Sequence, residues 1–497
     1  MQTVQKKEVS AGEQPLASQD YVVKAMPSIL GTFDMTATYL LIIFFITNAT
    51  VAASGGPAAF TYLLVGGITF FIPSVIATAQ LGVMFPYEGS LYNWTHRIFG
   101  GYWSFFSAFC AWFPGVLVMV SAGDVVVSLI QGLNSHWLSD PKEQGAVIIV
   151  VVLFSGVLAT QRFRIVQNIV NIVAVLTFFA VFLIGVAGVV WLAHGHPSAT
   201  KFADLPSWGI NWQSGTSNIS LFGLITLAYL GVEAPLNMAG EIKERSVVIR
   251  KHLAWGTLFV FVGYFVATFS LLAVEGAANA SATPFSLVST VDIALGKLVG
   301  SITCVCLMSF FVMTTVVYNS TYARLPLVAA LDQRLPVLMG RLNKHRVPSG
   351  AIWMQTGFAA VVTCVVFFGL PLISKPGTEA NLTVEVYNVM LAASTLVWAF
   401  SNLFLFINVA VCYFRDRNAF LKQSLFPLPL FFVSIPLGAV SCVLAIIDTL
   451  FNSWIGTLID NAHWLLAIGG LTLICIIIAA IGSMYASSEA TWESMRS

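Results

Sequence analysis

"LAYLGVEAPLNMAGEIKE", residues 227–244, lies within an apolar segment long enough to cross a membrane, yet it holds a glycine, a carboxylate and a proline between Gly231 and Pro235. Each is costly in lipid. Pro235 lacks an amide donor and crowds the carbonyl one turn earlier, Gly231 loosens the backbone, and Glu233 brings an ionisable group. Backbone groups freed in lipid must find partners, so such an interruption survives only where protein or a wet cavity satisfies them. The resulting half-helix ends offer N–H groups to a carboxylate and C=O groups to an ammonium or a metal cation.

The rest of the chain defines the solvent around this stretch. It is 58% hydrophobic and 9% charged over 497 residues, against about 25% charged residues in soluble domains. Polar turns divide it into about twelve apolar runs, each long enough to span about 30 Å of hydrocarbon as a helix. They fall near 31–54, 58–85, 102–131, 144–160, 165–193, 219–242, 253–275, 297–322, 350–373, 386–413, 427–451 and 463–485. A transmembrane β-barrel would show alternating strands of about 10 residues, and nothing here alternates that way. The expected fold class is an all-α polytopic membrane protein.

Charge orients it. With a cytoplasmic N-terminus, all but four of the 23 Lys and Arg residues fall on the cytoplasmic side; the exceptions are Lys142, Lys201, Lys297 and Lys375. That bias predicts a multi-pass protein of the cell membrane with both termini in the cytoplasm. The longest loop on that side, 323–349, carries Arg324, Arg334, Arg341, Lys344 and Arg346. The first thirty residues lack an apolar core with a cleavage site, so no signal peptide is expected.

A second interruption is expected where the first helix, "GTFDMTATYLLIIFFITNATVAASGGPA" (31–58), meets Thr47, Asn48 and Thr50. Helix 1 and helix 6 would run in opposite directions, five spans apart, as an inverted five-helix repeat requires. Glu233 is the sharpest single residue, since a mid-membrane carboxylate is a functional candidate by default; it could load and release a proton, or merely lock helix 6. Asp124 in helix 3 reads equally as pathway or interface, and Asp34, Glu275 and Asp448 read as interface residues. Asn171 in helix 5 and "TTVVYNST" (314–321) supply amides and hydroxyls. Thr314, Thr315, Tyr318 and Asn319 could line a cation or substrate path, or simply bond helix to helix. No Lys or Arg occupies the middle third of any segment, which favours a zwitterionic or cationic cargo. The seven histidines are expected in loops or near interfaces, and the seven cysteines read as small buried hydrophobes. No HExxH, GxSxG or P-loop occurs, so no enzyme, metal or cofactor chemistry is expected.

Several stretches resemble the amino acid–polyamine–organocation (APC) superfamily in the right order over nearly the whole chain. "FDMTATYLLIIFF" with "AASGGPAAFTYLLVGG" is similar to its first two helices. "TAQLGVMFPYEGSLYNWTHRIFGGYWSF" resembles "ELG..fP.aGG.Y.y...afG", which includes a short loop inside the membrane. "RFRIVQNIVNIV" looks like the start of its fifth helix. "LAYLGVEAPLNMAGEIKERS" matches its sixth-helix pattern, an aromatic residue, then G-[FV]-[ED], then "E.k.p". "YARLPLVAALDQRLP" resembles "sR..yalarDg.lP". The resemblance implies a LeuT-type five-plus-five inverted repeat with helices 1 and 6 broken and two further helices. It divides the chain into a cytoplasmic tail (1–30), a first repeat (31–193), an extracellular loop (194–218), a second repeat (219–413), two more helices (414–485) and a C-terminal tail (486–497). It implies a secondary transporter moving an amino acid or related organic amine by alternating access.

Carried over by position, the substrate site comprises Ile46, Thr47, Asn48, Ala49 and Thr50 of helix 1, with Leu227, Ala228, Tyr229, Gly231 and Glu233 of helix 6. Tyr229 and Tyr318 become candidate aromatic gates, with Trp398 a weaker one, and Glu233, Thr314, Thr315 and Asn319 candidates for proton or ion coupling. Two departures matter. Phe45-Ile46-Thr47-Asn48-Ala49 stands where amino acid carriers commonly have a glycine pair, so side chains crowd the place of a substrate carboxylate. Ala174 stands where some proton-coupled members place a lysine, which excludes coupling through that lysine. Coupling to H+ or Na+, exchange and facilitated flux stay open. The expected partners are a small amino acid or amine and the lipid bilayer, not nucleic acid. The rivals are a polyamine carrier of the same fold, a channel, and a non-transporting sensor.

Overall fold

The computed structural model describes residues 16–211, 218–280, 283–373, 379–454 and 459–496. Lys6, Lys7 and Lys375 of the charge argument and the first half of the expected N-terminal tail lie outside these ranges. A short helix α1 (Ala17–Ala25) leads to the first interrupted segment, α2 (Thr32–Ile43) and α3 (Asn48–Ala53). Then come α4 (Ala58–Met84), the short α5 (Ser90–Phe99), α6 (Gly101–Leu133), α7 (Pro141–Ala159) and α8 (Phe163–Ala193). The second interrupted segment is α9 (Ser220–Leu227) followed by a 3-10 stretch, Ala234–Glu241. Beyond it run α10 (Arg245–Val274), α11 (Ser286–Leu295), α12 (Lys297–Leu331) and α13 (Ser349–Gly369). The chain closes with α14 (Glu379–Arg415), α15 (Leu428–Phe451) and α16 (Asn461–Arg496). Among the described residues ten helices are long and apolar enough to cross a membrane. The segments near 31–54 and 219–242 are instead built from half-helices.

Helices five spans apart pack on one another: α4 on α10, α6 on α12 and α7 on α13, while α2 meets the 3-10 stretch and α3 meets α9. This is the pairing expected of an inverted five-helix repeat. Backbone pairing joins the two interrupted segments. Ile29 and Leu30 donate to the Glu241 carbonyl (2.9 and 3.0 Å), and Lys243 donates to the Leu30 carbonyl (3.0 Å), forming a parallel bridge between Leu30 and Ile242.

Several sequence expectations change at this level. The loop expected at 323–349 begins as helix, because α12 continues to Leu331, and Arg324 is fully buried in it. Part of the expected tail, α1, is docked: Ser18 donates through its amide and hydroxyl to Asp332 (3.0 Å each), and Gln19 donates to Asn93 Oδ1 (2.8 Å). Asp34 is buried rather than interfacial, paired with Arg164 at 3.0 Å and accepting from Asn171 Nδ2 at 2.7 Å. Asn171 thus ties helix 5 to helix 1. Asp448 is likewise buried and accepts the Gly223 amide (2.7 Å), capping an interior contact. His252 lies within α10, fully buried, with its Nδ1 on the Val248 carbonyl (3.0 Å). Charged and imidazole groups enter the interior in each case because a specific partner awaits them there.

Candidate substrate site

The sixth-helix interruption is made by Gly231, whose φ of +101° lies in the left-handed region that other residues avoid. Pro235 does not break a helix here. It is the second residue of the 3-10 stretch, where a missing N–H costs nothing. A β-carbon at 231 would come within 2.9 Å of the Trp398 indole and 3.4 Å of Ile42, so the glycine backbone rests directly on α14 and on the end of α2. The two interruptions therefore face each other, with Trp398 beside them.

Tyrosine hydroxyls satisfy the carbonyls freed at the end of α2. Tyr318 Oη donates to Ile42 O (2.7 Å), and Tyr264 Oη donates to Ile43 O (3.1 Å) and lies 3.4 Å from Phe45 O. Asn48 Nδ2 completes this cluster on Tyr264 Oη (3.3 Å). The amides fare differently. Among the described residues, the N–H groups of Ile46 and Thr47 in the first break, and of Gly231 and Val232 in the second, make no hydrogen bond. All four residues are buried. More than about 90% of buried backbone amides are paired in native proteins, so four unpaired donors at two facing breaks mark a place for an acceptor.

Glu233 supplies the opposite polarity. It is buried, and its Oε1 accepts from Trp398 Nε1 at 3.1 Å while Oε2 has no hydrogen-bond partner among the described residues. Trp398 in turn meets Tyr318 and Tyr322 edge-on, at ring separations of 6.4 and 5.9 Å, and those two rings stack at 5.3 Å. Glu233 is thus held by an indole that two stacked tyrosine rings flank.

The structure brings together Gly231, Glu233, Tyr318 and Trp398 at the end of α2, shortly before the buried amides of Ile46 and Thr47. Other candidates point elsewhere. Tyr229 stacks on Phe71 of α4 (4.5 Å) and donates to Leu63 O (3.2 Å), packing helix 6 against α4. Thr50 donates to its own chain at Thr47 O (2.7 Å), and Ala49 and Leu227 are buried, with Ala228 half-buried. Thr315 donates to Phe311 O (3.0 Å). Asn319 is saturated behind the site: Nδ2 reaches Ser155 Oγ (3.1 Å) and Thr356 Oγ1 (2.7 Å), and its Oδ1 accepts from Gln355 (2.5 Å). Thr314 alone of this group keeps a buried, unpartnered hydroxyl. Tyr264 and Tyr322 escaped the sequence reading, because a tyrosine in an apolar run gives no sign of which backbone its hydroxyl will reach.

A family profile described as amino acid permease matches residues 28–496. The chain belongs to that family. Among relatives of the family, the inner membrane transporter YjeM of Escherichia coli (strain K12) is 22% identical over 476 residues, 88% of this chain and 92% of the relative. The gamma-aminobutyric acid permease of Bacillus subtilis (strain 168) is 24% identical over 363 residues, 69% of this chain and 74% of that permease. The crystal structure of MhsT with L-phenylalanine superposes with a TM-score of 0.57 at 13% identity, covering 84% of this chain and 97% of MhsT. The family member described here is thus a multi-pass membrane transporter with the LeuT-type fold, not an enzyme.

Proposed function

We propose that this permease carries an amino acid, with its carboxylate on the unpaired amides of the two breaks and its ammonium on Glu233. The four buried, unbonded N–H groups carry this reading, because an amine alone has nothing to offer them. The crowding expected from Ile46 and Thr47 concerns side chains, whereas the donors are backbone atoms and stay free. The ammonium would displace the Trp398 indole from Glu233, which turns Trp398 into the cap over the bound cargo. Relatives named for an amino acid support the class and leave the member open. The charge bias supports cytoplasmic termini, so the face bearing α1 and Arg324 would open to the cytoplasm. Residues 31–193 and 219–413 would serve as the two repeats. Counterflow in liposomes tests the assignment: a trapped amino acid should drive uptake of its labelled form, and its decarboxylated analogue should compete at least tenfold more weakly. Equal competition by the amine would move the protein to the amine carriers.

A further inference from the structure

Below the substrate site, the face bearing α1 is sealed by a second group of ionisable side chains, which the binding scheme does not use. Glu88, before α5, Glu241, at the end of the 3-10 stretch, and Arg324, on α12, are all within 2% of complete burial. Arg324 donates to Glu241 Oε1 through Nε (3.1 Å) and Nη2 (2.8 Å), lies 3.6 Å from Glu88 Oε1 through Nε, and bonds the Ser320 carbonyl through Nη1. The Phe163 ring covers the guanidinium at 5.1 Å. Glu88 Oε2 accepts the Gly240 amide at 2.9 Å, while its Oε1 has no donor among the described residues. Both carboxylates therefore converge on the same Arg324 Nε, Glu241 Oε1 at 3.1 Å and Glu88 Oε1 at 3.6 Å.

Two carboxylates around one guanidinium leave a surplus negative charge in a buried place. Arginine cannot supply or lose a proton to correct this. Two ionised carboxylates converging on one nitrogen repel, and a proton held between them removes both the surplus charge and the orphaned acceptor. The neighbouring elements carry further ionisable groups: Asp20 and Lys24 on α1, His96 and Arg97 on α5, Arg245 at the start of α10, and Asp332 and Arg334 beyond α12. Asp20 and Lys24 are exposed, Arg245 donates to Gly240 O (3.1 Å), and Asp332 accepts from Ser18. The charges acting directly on Glu88 are Glu241 and Arg324.

We propose that Glu88 and Glu241 hold one proton between them whenever this face is shut, and that opening the face hydrates the pair and releases that proton to the solution on that side. The pair is then a proton-coupling site separate from Glu233. This proposal rests on the reading that the face opens and closes during transport. The closed state binds one proton more than the open state, so its stability is complete at low pH and is lost as pH rises.

Hydrogen exchange of the purified full-length protein over a pH series, corrected for the intrinsic exchange rate, tests this without any substrate. Opening of 234–241 should become about tenfold more frequent per pH unit through the transition, the slope of one proton. Glu88→Gln and, as a second variant should the first fold poorly, Glu241→Gln should flatten that slope. A flat wild-type profile, or a wild-type slope retained in both variants, overturns the proposal. Counterflow needs no proton gradient, so its loss would strike the transport reading and leave this one to the exchange data.

Discussion

At the scale of single residues, Gly231 and Glu233 do different work within three positions. Gly231 holds a left-handed backbone against Trp398, so Gly231→Ala meets both a backbone penalty of about 1–2 kcal/mol and a collision with the indole. The variant should fold with a melting point lowered by a few degrees and lose counterflow altogether; normal counterflow would show that the close approach is dispensable. Glu233→Gln keeps the acceptor for Trp398 Nε1 but removes the charge. A hydrogen bond to a charged group is worth about 1.5–3 kcal/mol, so amino acid affinity measured by thermal shift should fall roughly tenfold to a hundredfold. Unchanged affinity would mean that the ammonium does not meet this carboxylate.

Between elements, the network around Asn319 separates scaffold from pathway. Asn319 joins α12 to Ser155 on α7 and to Gln355 and Thr356 on α13. Asn319→Ala orphans those buried groups, at a cost of about 1–3 kcal/mol. A lower melting temperature with KM within about twofold of wild type is expected, whereas a large KM change with intact stability would restore Asn319 to the cargo path. The same contrast explains what the sequence disclosed. The interruptions were legible because the polar cluster Thr47, Asn48 and Thr50 in helix 1, and Gly231, Glu233 and Pro235 in helix 6, are conspicuous in apolar runs. Glu88, Glu241 and Arg324 were not, since each sits at the edge of a polar stretch and reads as an ordinary loop charge. Their burial depends on segments 83 to more than 150 residues apart converging, which no local pattern records. Tyr229 shows the same limit: its position on helix 6 was plain, but the direction of its ring, toward Phe71 of α4, was not.

For the whole molecule, binding and conformation should be linked through stability. An amino acid held between the two interrupted segments adds a second link to the main-chain pairing that already joins them. At 100 times its dissociation constant it should add about 2.7 kcal/mol, visible as a raised melting point, and the matching amine should need a higher concentration for the same shift. No shift with any amino acid that supports counterflow would place the binding site elsewhere. Positioning of the ends matters as well: α1 is docked through Ser18 and Gln19, so the start of the described chain belongs to the seal and is not an idle tail.

The pairing of residues 28–30 with 241–243 links the start of helix 1 to the end of helix 6 through main-chain atoms, with the Ser28 hydroxyl adding one bond to Ile242 O. Peptide groups are the same whatever side chains they carry. A chain that differs from this one at most side chains can therefore keep the same joint between its two half-helices while its cargo pocket changes. Substrate choice and the linkage that moves the pocket are in this sense written in different alphabets, one of side chains and one of backbone.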